Sequence, residues 1–278
     1  VIYKSTDDSV VETIDVTSAQ VTGSGTSQIT IDPSADFSSA TDYYVTIAAT
    51  AFDDTAGNSY AGITDKSTLS FTSSDIVVPT ISGITSSTAD GTYKERDVIT
   101  INLDVSEAVI VDTTNGTPTL ELETGSINRT ATYLSGSGSS TLIFSYTVQA
   151  GDTATDLDYA STSALALNNG TIKDAGGNDA TLTLPSPSAA GSLAANQAFV
   201  IDTTAPTITD LSGAKGAVTA TISIDENIIS IGTFTADESV AWSLSGGDDS
   251  AQFSINASTG ALSFSTAPDF ESPTDSDS

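Results

Sequence analysis

The chain has 278 residues and carries 36 Asp and Glu against seven Lys and Arg, a formal charge of −29. A surface of that sign repels nucleic acid and anionic membrane. It contains no Cys and no His, which excludes disulfides and thiolate metal sites and removes the commonest general base and zinc ligand.

No apolar run approaches the eighteen or so residues that span a bilayer. Any membrane anchor or export signal is expected to lie outside these residues, which open on Val1-Ile2-Tyr3 as if cut from something longer. Most of the carboxylates read as a solvated acidic face. Those that recur at turns and strand ends ask for more, because clustered carboxylate and amide oxygens suit a hard cation such as calcium.

In chain order, Thr, Ser, Val, Ile and Tyr are interrupted by turn residues every eight to twelve positions, the pattern of short strands in an all-β sandwich. An early turn, Asp53-Asp54-Thr55-Ala56-Gly57-Asn58, is echoed by Lys173-Asp174-Ala175-Gly176-Gly177-Asn178. Both read first as hairpin turns, because Asp, Gly and Asn are turn formers; a metal role for Asp53, Asp54, Asp174 and Asn178 is the alternative. Ile99, Ile101, Leu103 and Val105 alternate with polar residues, as do Leu142, Phe144, Tyr146 and Val148, and Val218, Ala220, Ile222 and Ile224. Period two predicts half-buried strands at all three places. Residues 153–167 have room for a turn or two of helix. Trp242 and Leu244 share a strand face and read as core; the alternative for Trp242 is an exposed platform for a glycan.

Two prolines mark boundaries. Asp75 precedes Pro79-Thr80-Ile81, and Asp202 precedes Pro206-Thr207-Ile208. Proline holds itself and its predecessor extended, so three modules are expected, at 1–75, 79–202 and 206–278. Glu107, followed after 49 residues by Asp156-Leu157-Asp158 and then by Asp202, parallels Glu226 followed after 43 residues by Asp269-Phe270-Glu271. In each acidic triplet, alternation puts both acids on one face, and such a set is suited to meet the earlier Glu at one pole of a sandwich around a cation.

The segments 86–93, 144–152 and 156–160, together with Asp202-Thr203-Thr204-Ala205-Pro206, make the middle module resemble an immunoglobulin-like repeat of giant bacterial surface proteins. Tyr43-Tyr44-Val45-Thr46-Ile47 and the 52–58 turn make the first resemble a second bacterial immunoglobulin-like type. The third, with Ile224-Asp225-Glu226-Asn227, Gly232 to Asp237, Trp242 to Asp248, Phe253-Ser254-Ile255, Thr259-Gly260-Ala261-Leu262 and Asp269-Phe270-Glu271, resembles a bacterial cadherin-like repeat. That resemblance implies calcium held between repeats by Glu226, Asp269 and Glu271 at one pole. It implies Asp237, facing Asp202 of the preceding linker, at the other. Where the family carries Asp-x-Asp, this sequence has Asp237-Glu238.

The reading is a set of tandem β-sandwich modules from a bacterial extracellular or cell-surface protein, stiffened by calcium and acting in adhesion. The expected partners are calcium ions, with another surface protein, a glycan or a second copy as the adhesive contact. The alternatives are a ligand-free spacer of a surface or halophilic protein and a glycan-binding module. No constellation of catalytic residues is found.

Overall fold

A computed structural model describes residues 1–217, 219–247 and 249–272. Val218 and Asp248, named above in a predicted strand and in a family resemblance, lie outside the described residues. The fold is all-β and divides into two compact units, Val1–Thr203 and Thr204–Ser278.

The first unit opens with a four-stranded antiparallel sheet in the order Val10–Glu12, Ile2–Lys4, Asp42–Val45, Ser70–Thr72. Ile2, Tyr43 and Tyr44 are buried there. Phe37, Tyr43 and Phe71 pack ring on ring at centroid distances of 4.7 to 5.6 Å, geometry that aromatic quadrupoles favour. A short hairpin of Val21–Thr22 and Thr30–Ile31 accompanies the sheet.

The larger part of this unit is built on the 15-residue strand Val98–Asp112. On one side it pairs with Ser139–Thr147; on the other, Ile81–Thr85 takes its first half and Thr171–Lys173 its end. Arg129–Ser135, Thr119–Leu122 and Leu165–Ala166 extend the sheet beyond Ser139–Thr147. A second sheet of Thr153–Ala154, Phe199–Asp202 and Gly91–Tyr93 completes the strand set, and its Phe199–Asp202 and Gly91–Tyr93 strands run parallel. The predicted alternation is observed. Ile99, Ile101, Leu103, Val105, Leu142, Phe144, Tyr146 and Val148 are all buried in one apolar cluster with Ile84, Leu120, Leu122 and Phe199. Removing that much apolar surface from water is the main force holding this part together.

Residues 153–167 form no helix. The chain there is pinned by strand pairing at Thr153–Ala154 and Leu165–Ala166. The one α-helical turn among the described residues is Leu193–Asn196, capped by the Ser192 hydroxyl, which accepts from the Ala195 amide at 3.2 Å. Ser is a favoured cap for this reason.

In the second unit, Ile208–Thr209 pairs with Thr235–Ala236, and Ser230–Thr233, Ala261–Phe264 and Phe253–Ile255 form a three-stranded sheet. The strand expected through Ala220, Ile222 and Ile224 is not formed over residues 219–224. Alternation marks a face, but a ladder needs a hydrogen-bonded neighbour, and none is paired there. Trp242 is half-buried and stacks on Phe234 at 5.9 Å, while Leu244 is exposed and outside any strand. The expected common core face of Trp242 and Leu244 is therefore absent. Among the described residues this unit has no fully buried hydrophobic side chain.

Candidate metal centre

Among the described residues, three hairpin turns share one design. In each, an Asp amide donates to the carbonyl four residues on, and the Asp side chain accepts the returning amide: Asp54 with Asn58, Asp174 with Asn178, Asp210 with Ala214. The fourth residue is Gly with positive φ every time, Gly57, Gly177 and Gly213, a conformation that a Cβ disfavours. In the first two, the Asn side chain also donates to the second Asp oxygen at 2.8 Å. The turn-forming reading of the Asp-x-x-Gly-Asn segments is observed. Asp210-Leu211-Ser212-Gly213 is a third copy, hidden from sequence comparison because it lacks the Asn.

One of these turns has a further role. Carboxylate oxygens of Asp75, Glu107 and Asp174 all lie within 4.8 Å of one another, the one such acidic set among the described residues. Asp174 comes from the hairpin just described and is buried; Asp75 comes from the strap between the first sheet and the strand Ile81–Thr85. Glu107 sits at an irregularity in Val98–Asp112. The two-residue step from Ser139 to Thr141 is matched there by a five-residue step from Val109 to Asp104. Bulges of this kind re-aim side chains, and this one brings Glu107 to the strap.

Burial pushes the pKa of Glu107 up, and the charges of Asp75 and Asp174 push it further the same way. Burial also pushes up on Asp174, but hydrogen bonds from the Asn178 side chain and amide outweigh it, and its carboxyl stays below the ordinary value. Asp75 is held by the Ser39 hydroxyl at 2.7 Å and the Val77 amide at 3.1 Å. Three crowded carboxylates, one of them reluctant to ionise, form an oxygen-only donor set suited to calcium.

Other expected positions are distributed differently. Asp158 is buried and accepts from the amides of Tyr159 and Ser188, at 2.9 and 2.8 Å. Asp156 is exposed, and Asp202 pairs across the ladder with Thr153. Glu107 therefore gathers with Asp75 and Asp174, not with Asp156, Asp158 and Asp202. In the second unit, Glu226 accepts from the Phe270 amide at 3.1 Å, so it does reach the Asp269-Phe270-Glu271 turn. Asp269 there accepts from Glu271 and Ser272 amides at 3.0 and 3.2 Å. Glu226, Asp269 and Glu271 nonetheless do not bring three carboxylate oxygens within 4.8 Å of one another. Asp237 accepts from the Thr207 amide at 2.7 Å, which holds its pKa below the ordinary value; it ties two strands of its own unit.

The sheet of Ile2–Lys4, Val10–Glu12, Asp42–Val45 and Ser70–Thr72 closes just before Asp75. Residues 2–73 match the bacterial Ig-like domain. Ser39, which anchors the strap, lies within the matched residues, and the acidic set begins two residues after the match ends. No curated protein and no solved structure gives a significant match to the chain. No helix among the described residues is long and apolar enough to cross a membrane. Ig-like domains of this type are structural modules typical of extracellular or surface proteins.

Proposed function

We propose that this chain is a segment of a bacterial surface protein in which calcium stiffens a stalk used in adhesion. The observation that carries this reading is the convergence of Asp75, Glu107 and Asp174 where the Ig-like domain passes into the next sheets. Three acids from three separate parts of the chain meet there, and the raised pKa of Glu107 reflects their mutual repulsion as well as burial. A divalent ion relieves that repulsion and ties the strap to the bulged strand and the 174–178 hairpin. Without it the acids push apart and the joint loosens. The Asp75 set is preferred for the first ion because its three carboxylates already lie within 4.8 Å of one another, which Glu226, Asp269 and Glu271 do not.

Calcium binding stabilises the folded state by mass action, by about 2.7 kcal/mol when calcium exceeds its dissociation constant about a hundredfold. Thermal melts and small-angle scattering across a calcium titration test the reading. A higher melting point and a stiffer particle are expected. A response to monovalent salt with none to calcium would establish the ligand-free spacer instead.

A further inference from the structure

Among the three kindred hairpins, the Asp174 hairpin holds a second segment of chain. The side-chain amide of Asn178 donates to the Asp75 carbonyl at 3.1 Å and to the Val77 carbonyl at 3.2 Å. In the Asp54 hairpin, the corresponding Asn58 side chain is bonded to Asp54. The turns differ at their third position, which is Ala56, Gly176 and Ser212 in chain order. Gly176 does not take a positive φ, and Ala56 closes the same turn in the first copy. The turn itself therefore does not require glycine.

What requires it is the strap. A Cβ built on Gly176 would lie 2.6 Å from the Cβ of Asp75, 3.2 Å from Oδ1 of Asp174 and 3.3 Å from Nδ2 of Asn178, the atom that holds the strap. The first distance is far inside van der Waals contact, and the Asp75 Cβ is fixed close to its backbone. Ile76, Val77 and Val78 leave their side chains in solvent, so the strap is held here by its backbone, on Asn178 and Ser39, and by the Asp75 carboxylate on Ser39. We infer that Gly176 converts a common hairpin into a receptor for the 75–77 strap, and that this docking holds the strap in place whether or not a metal adds its own lock to the joint. The Ala in the first copy and the Ser in the third would close the same receptor.

The inference is independent of the calcium reading and is tested in a chelator. A protease that cuts after aliphatic residues reports on undocking of the 75–78 strap. Gly176→Ala is expected to speed cleavage there roughly tenfold, equivalent to about 1.4 kcal/mol of docking free energy. Asp75→Gly removes the 2.6 Å collision and, with it, the Ser39 bond, so cleavage starts from a faster baseline; adding Gly176→Ala in that background is expected to speed it by about twofold at most. Cleavage of Gly176→Ala at the wild-type rate would overturn the inference. So would an equal acceleration in both backgrounds, which is the result that general misfolding of the hairpin would give. Repeating the series in calcium separates the two ideas, since a metal lock adds protection to every variant that keeps the three acids.

Discussion

The Nε of Arg129 donates to Oδ1 of Asp152 at 2.8 Å, and that carboxylate is almost completely buried. The Tyr146 hydroxyl and the Gln149 amide fill Oδ2 at 2.7 and 2.8 Å, and Thr203 bonds the Asp152 carbonyl. The network ties the end of Ser139–Thr147 to the exit strand. Arg129→Met would leave a buried charge without its counter-ion, and is expected to cost about 3 kcal/mol in urea unfolding of the first unit. A loss within experimental error would show that the tyrosine and amide donors suffice.

The same carboxylate sets an acid limit. Burial pushes the Asp152 pKa up, but Arg129, Tyr146 and Gln149 outweigh it and hold it below the ordinary value of 3.8. A lowered folded-state pKa stabilises fully above the ordinary value, and that stability is lost as pH falls through it towards the lowered one. Urea midpoints of the wild type are expected to drop between about pH 5 and pH 3, and those of Asp152→Asn to drop less.

Glu107 behaves with the opposite sign. Its raised pKa means that ionisation opposes folding at neutral pH, and that the penalty fades as pH falls through the raised value towards the ordinary one. In chelator, Glu107→Gln is therefore expected to raise the melting point. In calcium the same change is expected to weaken binding by about tenfold or more, the scale on which loss of a supporting group acts at a metal site. Equal melting points for wild type and variant in both conditions would detach Glu107 from any role in the joint.

The two units are expected to differ in stability. The first buries a continuous apolar cluster, whereas the second has no fully buried hydrophobic side chain among its described residues and exposes Ile228, Ile229 and Phe270. Calorimetry should show residues after Thr204 melting first, and hydrogen exchange should be faster there. Phe144→Ala should cost about 3–5 kcal/mol in the first unit, whereas Leu244→Ala in the second should stay within about 0.5 kcal/mol.

Strands that alternate and also have neighbours on both sides were legible in the sequence, as Ile99 to Val105 and Leu142 to Val148 demonstrate. The stretch 219–224 alternates equally well but has no partner strand, and alternation carries no information about partners. At the candidate site, Glu107 was legible as an acid at a strand's edge. Asp174 was legible as a turn acid with a metal role as its alternative, but the meeting of the three was not, because a bulge breaks the period that places side chains and because Asp75 arrives on an irregular strap. The Asp-proline spacing at the boundary and the repeated Asp-x-x-Gly-Asn turn were the available signals for Asp75 and Asp174. Asp158, Asp237 and Asp269 accept backbone amides, as Asp75 and Asp174 also do, and composition does not distinguish that use from metal ligation.

The parallel pairing of Gly91–Tyr93 with Phe199–Asp202 joins positions more than a hundred residues apart near the entry and exit of the larger sandwich. When the chain is pulled from its two ends, these strands are drawn past each other lengthwise. Their bonds then share the load and must fail together, whereas a hairpin peels open one bond at a time. Tension along the polypeptide is thus met by the lateral slip resistance of a short ladder backed by Tyr93 packed edge-on against Phe199.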